Sequence, residues 1–302
     1  MSLTLSTLTC PSCGGPVTPS TAGVVTCIYC ARALLGAADA SWELRTNVRE
    51  EDDSLDTRPW CRVDGQKLLV HGQLGAGETS DVFLGERAQH PTERVVIKVC
   101  RSAESARPFA TQWKRLLRLG ESEDRRAPVM TTLLPQLVVA GTMKSRTRDG
   151  LAALVTRWRS GYQYTLVDVR RAYPSGIDAR TAVWIWRRLL DLLAWIHENG
   201  VVHANVRPEH VLVHPRDHGA VLVGWSRATL LEKRRGATED ILGSTESLRY
   251  VLGGAIPSPL QSVLDSAERG FESDASRLNE KIRVAAREAF GAPKYHPFTM
   301  PD

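Results

Sequence analysis

The chain has 302 residues, 42% of them hydrophobic and 24% charged, with a formal net charge of +5. That length allows one large domain or two smaller ones, and the composition is that of a soluble globular protein rather than a disordered or fibrous one. No apolar run approaches the ~20 residues that cross a bilayer. The opening MSLTLSTLTCPSC lacks the basic-then-apolar pattern of a secretory signal. A cytoplasmic protein with no membrane partner is expected. Acidic residues lie among the basic ones, which implies a mixed solvated surface rather than a dedicated nucleic-acid face.

Six cysteines are present, four of them in the first thirty residues. Cys10-x-x-Cys13 and Cys27-x-x-Cys30 are two CxxC pairs separated by thirteen residues. Each pair can close a tight knuckle that aims two thiolates at one ion, and a hairpin between them would bring the four into a tetrahedral site. Gly14 and Gly15 follow the first pair, and Val24, Val25 and Thr26 read as a strand leading into the second. The pattern resembles a zinc ribbon. A four-thiolate site is closed, and so structural rather than catalytic. A module of about thirty residues is too small to fold on its own core and draws its stability from the metal. Residues 1–36 are therefore expected to form a zinc ribbon bound to Zn2+ by Cys10, Cys13, Cys27 and Cys30. The two remaining cysteines are single; Cys100 ends an apolar strand and reads as a core residue.

Residues 37–66 mix Glu50, Glu51, Asp52, Asp53 and Asp56 with Trp42, Pro59 and Trp60 and show no sustained periodicity. This reads as a linker whose tryptophans dock on a neighbouring domain. Three strands are predicted next: KLLVHGQLGAG, SDVFLGER and RVVIKVC. A basic helix, PFATQWKRLLRL, covers 108–119, and LAALVTRW (151–158) reads as a further strand. The strongest helix runs from Ala182 to Asn199, where Val183, Trp186, Leu189, Leu190, Leu193 and Ile196 recur at three- and four-residue steps and Gly200 ends it. One or two amphipathic helices are predicted over 257–290, followed by a turn-rich tail bound to the surface.

Two stretches carry a resemblance. VVHANVRPEHVLV (201–213) resembles the catalytic loop of eukaryotic-type protein kinases, V-x-H-R-D-L-K-P-E-N-V-L-V, keeping His203, Pro208 and Glu209. LGAGETSDVF (74–83) is similar to that family's glycine-rich loop, with Gly75 and Gly77 kept and Ser80 in place of the third glycine. RVVIKV then follows at the family's distance. The resemblance covers roughly residues 67–290. It implies an α+β, bilobal kinase-like fold over 67–302, with a β-rich first lobe and a helical second one. It also implies a nucleotide site in which Gly75, Gly77, Val82 and Lys98 hold adenine and phosphates.

The motif positions depart from the family pattern. Asn205 stands at the catalytic Asp, Ala204 at its Arg, His210 at the magnesium-binding Asn, and Arg207 at the loop lysine. After the strand AVLV, Gly224, Trp225 and Ser226 stand at D-F-G. The predicted helix 108–119 holds no acid to pair with Lys98, and Gln112 or Trp113 falls near the expected place. Asp240 matches the Asp that braces the catalytic loop. Phosphoryl transfer is largely positioning and charge neutralisation, so these replacements lead to the expectation of a pseudokinase without enzymatic activity. Such a protein would serve as a binding or scaffolding module with protein partners, and its ATP binding would be weak and independent of Mg2+. Two alternatives remain open. One is an atypical ATP-using kinase with rearranged groups. The other is an adaptor that binds nucleic acid through the ribbon and segments such as WKRLLRLG. The Arg-rich composition suggests a bacterial source.

Overall fold

The computed structural model describes residues 59–87, 91–145, 148–231 and 234–301, preceded by four short strands. These are β1 (Leu8–Thr9), β2 (Pro16–Val17), β3 (Val24–Thr26) and β4 (Ala33–Leu35). They form two antiparallel hairpins, β1 with β2 and β3 with β4. The chain divides into two compact units. The first comprises 1–99 and 141–158, the second 100–140 and 159–302.

The first unit is a closed barrel of six strands: β5 (Trp60–Val63), β6 (Gln66–Ala76), β7 (Ser80–Arg87), β8 (Glu93–Cys100), β9 (Leu137–Lys144) and β10 (Ala152–Arg157). The three predicted strands β6, β7 and β8 are present. β5 falls in the stretch expected to be linker: Trp60–Val63 pairs with Gln66–Leu69, and Arg62 and Val63 face Lys144 and Met143. The alternation of Cys61 and Val63, both buried, with exposed Trp60 and Arg62 is a four-residue strand signal that the surrounding acids obscure. Trp60 does not dock; it is 46% exposed, with the Arg62 guanidinium 5.6 Å from its ring. The barrel closes tightly at Gly85, where a Cβ would stand 2.5 Å from Ile97 Cδ1 and 2.8 Å from the Leu69 carbonyl. Val95, Ile97, Val99, Val63, Leu68 and Val155 are fully buried within it.

The second unit is helical. Helices α1 (Ala106–Gly120), α2 (Ala127–Met130), α3 (Leu166–Ala172), α4 (Ala179–Glu198), α5 (Arg234–Val251), α6 (Ser258–Glu268) and α7 (Ala275–Phe290) carry it. Its remaining strands are β11 (Tyr164–Thr165), β12 (Val201–Val202), β13 (Val211–His214), β14 (Gly219–Leu222) and β15 (Thr229–Leu230). Its core gathers on α4, whose Trp186, Leu189, Leu190, Leu192, Leu193, Trp195 and Ile196 are all buried. Burying side chains of this size contributes roughly 1.5–3 kcal/mol each. α4 starts three residues before the predicted Ala182, because Asp178 caps it by accepting a hydrogen bond from the Arg180 N–H at 2.7 Å. α3 begins on a reciprocal capping box between Thr165 and Asp168. The expected single or paired helix over 257–290 is two helices, α6 and α7. The C-terminal tail has no regular structure but Phe298 is buried, 5.7 Å from the Tyr173 ring.

Candidate functional site

In the first unit, β6 and β7 meet through the glycine turn. Gly75 is in register with Val82, and the Gly77 N–H donates to the Ser80 carbonyl at 2.8 Å. The turn is open: Gly75 and Gly77 are exposed, and a Cβ on Gly75 would meet nothing within 4 Å. Lys98 lies on β8, opposite Leu154 on β10, while Val96 lies opposite Thr156. Residues two apart share a strand face, so Lys98, Val96, Leu154 and Thr156 line one side of the sheet. Burial in this mostly apolar setting lowers the Lys98 ammonium from 10.5 to about 8. The barrel also holds a buried carboxylate that sequence reading missed. Asp81, just before Val82, receives Arg148 Nη1 at 2.6 Å, and Arg148 stacks 5.1 Å from the Phe83 ring. Sixty-seven residues separate the two, so only the closing of the barrel reveals the pair.

In the second unit, the loop after α4 carries the kinase-like motif positions. Asp240 on α5 is fully buried and accepts three hydrogen bonds. These come from the His203 N–H at 2.8 Å, the Ala204 N–H at 2.7 Å and His197 Nε2 at 2.9 Å. The first two bonds hold Ala204 at φ 57, a left-handed conformation that a residue with a Cβ adopts only at a cost. Asp240 therefore braces the loop, the role its position suggested.

The loop is joined to the end of β14 by three further contacts. His203 Nε2 donates to the Val223 carbonyl at 3.0 Å, and Asn205 Nδ2 donates to the Gly224 carbonyl at 3.3 Å. Trp225 is buried, edge-on to His203 at 4.7 Å, and its indole N–H donates to the Leu222 carbonyl. Trp225 thus fills an apolar slot as its place in the motif suggested.

His210 and Gly224 fit one another. His210 Nδ1 donates to the Asn205 carbonyl at 2.8 Å, which fixes the imidazole. A Cβ on Gly224 would stand 2.6 Å from His210 Cγ and Cδ2, and Gly224 has φ 83. Backbone and imidazole together exclude any side chain at 224. Arg207 is exposed, with Nη1 4.0 Å from Glu209. Asn205, His210 and Gly224 are thus brought together, while Gly75, Gly77, Val82 and Lys98 lie in the other unit.

Cys10, Cys13, Cys27 and Cys30 lie outside the described residues, and among the described residues no group of three or more His, Cys, Asp or Glu could hold a metal. The strands flanking the cysteines are described. Thr9 is paired with Pro16 and Thr26 with Ala33. Each CxxC pair therefore begins the six-residue interval of its own hairpin, in the same register both times. Cys61 and Cys100 are buried and unlinked, and burial pushes the Cys61 thiol up to about 11.

This arrangement, a β-barrel unit with a glycine turn and a strand lysine and a helical unit with a braced loop, is the protein kinase-like fold. Solved structures agree. Vaccinia related kinase 3 superposes with a TM-score of 0.60 over 84% of this chain and 98% of its own, at 16% identity. The BubR1 kinase domain gives 0.58 over 76% and 83%, at 13% identity.

In sequence, the chain is similar to serine/threonine-protein kinase D of Synechocystis sp., 27% identical over 216 residues. It is also similar to calcium/calmodulin-dependent protein kinase type IV of Mus musculus, 28% identical over 155 residues. These matches cover 69% and 49% of this chain but only 38% and 28% of the relatives' own lengths. No model of a protein family matches the sequence. The relatives are named kinases, and this overturns the expectation that the chain is not an enzyme. The changes at 205, 210 and 224 remove three particular side chains but leave the fold, the brace and Lys98 in place, so they do not decide activity. No helix among the described residues is long and apolar enough to cross a membrane.

Proposed function

We propose that this chain is a kinase-like, nucleotide-binding regulatory module that acts through protein partners. Its nucleotide site is the β-barrel face formed by Gly75, Gly77, Val82 and Lys98, and its N-terminal ribbon holds a structural zinc ion on Cys10, Cys13, Cys27 and Cys30. The observation that carries the reading is Lys98. It shares a sheet face with Val96, Leu154 and Thr156, in the same barrel whose strands β6 and β7 meet at an exposed glycine turn with backbone accessible to phosphate oxygens. Burial lowers this amine's affinity for its proton, and a bound phosphate would raise it again, which ties its charge to ligand binding.

A second reading is supported by the relatives' names: an ATP-using kinase with rearranged catalytic groups. In it, phosphoryl transfer would run without carboxylates at 205 and 224.

The test is titration with a fluorescent ATP analogue at pH 8, comparing the natural chain with Lys98→Met. Binding that falls at least about tenfold in the variant supports the site. Equal binding removes Lys98 from it. Binding should also take up protons at this pH, because an anion raises the ammonium's affinity for its proton. In the unliganded protein the sign is reversed. Below pH 8 the folded state keeps a desolvated ammonium that the unfolded chain solvates, and this penalty fades as pH rises from about 8 towards 10.5. Lys98→Met should therefore raise the unfolding temperature at pH 7 by about 2–5 °C, with the gain shrinking by pH 10.

A further inference from the structure

Helix α1 stands apart in its charge. ARPFATQWKRLLRLG carries Arg107, Lys114, Arg115 and Arg118 and no acidic residue. At 100° per residue, Arg107, Lys114 and Arg118 fall within about 40° of one another, a stripe about 16 Å long. All three are exposed. Some arginines elsewhere in the second unit are neutralised: Arg126 by Asp124 and Glu198, Arg249 by Asp265 and Glu268, Arg283 by Glu280. Among the described residues, no carboxylate pairs with Arg107, Lys114 or Arg118, and Glu121 at the end of the helix pairs with none of them.

The stripe has an apolar border. Leu117, 42% exposed, and exposed Ala110 lie about 60–80° to one side of it. The opposite face of the helix, Phe109, Gln112, Leu116 and Leu119, is buried and anchors it. Cations beside an uncovered leucine form a two-part surface. A phosphate backbone would use only the charges. An acidic segment with apolar residues at helical spacing would use both parts.

We propose that the exposed face of α1 is a docking surface for an acidic, amphipathic segment of a partner protein. Lys114 and Arg118 receive its carboxylates and Leu117 its apolar side chain. This deepens the protein-binding part of the proposed function, and its failure would leave nucleotide binding at Lys98 untouched. Charge sets the rate of approach and the salt dependence, while the leucine contact selects against purely anionic competitors.

The experiment is fluorescence anisotropy at low and physiological salt with three labelled probes. They are a Glu-Glu-Leu repeat peptide, its Glu-Glu-Ser counterpart, and an oligothymidine of about twenty nucleotides. The expected result is that the leucine peptide binds at least about tenfold more tightly than the other two. Lys114→Glu with Arg118→Glu should abolish binding, and Leu117→Ser should weaken the leucine peptide alone. ATP-analogue binding, measured in parallel, should not change, and circular dichroism should confirm the fold of these exposed-residue variants. Three results would overturn the proposal: no binding of the leucine peptide, binding unchanged by the charge reversal, or tighter binding of the oligonucleotide that is indifferent to Leu117→Ser. The last would assign the stripe to nucleic acid.

Discussion

At the scale of single residues, the replaced motif positions form a mutually supporting set. His210 fills the space that a side chain at 224 would need, and its ring is pinned by the Asn205 carbonyl. Asn205 in turn donates to the Gly224 carbonyl. Restoring a carboxylate at one position therefore conflicts with the next. Gly224→Asp should destabilise the fold by about 2–4 kcal/mol, through a Cβ clash and a strained φ. Adding His210→Ala should recover about half of that, because it removes the Cγ, Cδ2 and Nδ1 atoms that clash but not the strain. Urea unfolding of the single and double variants measures both. Additive effects would show that the two positions are not coupled. The substitutions were readable in sequence one by one. Their fit was not, because it depends on a glycine conformation and a ring orientation that spacing does not encode.

At the scale of elements, legibility followed periodicity. Helix α4 was found from three- and four-residue recurrence and β8 from its apolar, β-branched run, since both bury a regular face, while β6, which buries only Leu68 and Leu69, was marked by the glycine turn it runs into. β5 was missed, being four residues at the edge of an acidic stretch. α5 starts at Arg234, in a run of charged residues that carries no apolar signal. The N-terminal hairpins repeat one frame, strand–CxxC–strand, with Thr9 facing Pro16 and Thr26 facing Ala33. Such short hairpins do not hold alone, and the proposed zinc ion would supply what holds them. Elemental analysis should find about one zinc per chain. Cys10→Ser should lose it, and chelation should unfold the ribbon while the kinase-like units keep their own transition. Full zinc retention in the variant would refute the four-cysteine site.

At the scale of the whole molecule, the kinase-like fold was legible from two motifs with the strands and helix that frame them, and the solved structures bear it out. Activity was read too far from three residues. The same fold that carries Asn205, His210 and Gly224 also keeps the Asp240 brace, the glycine turn and a desolvated Lys98. In the proposed division of labour the barrel unit would sense nucleotide and α1 would offer a charged surface to partners. The most direct measurement is thermal unfolding of the zinc-loaded protein with millimolar ATP, once with magnesium and once in magnesium-free buffer without chelator. The account predicts a rise of several degrees that is the same in both buffers and absent in Lys98→Met. No rise in either buffer, or an equal rise in the variant, would contradict it.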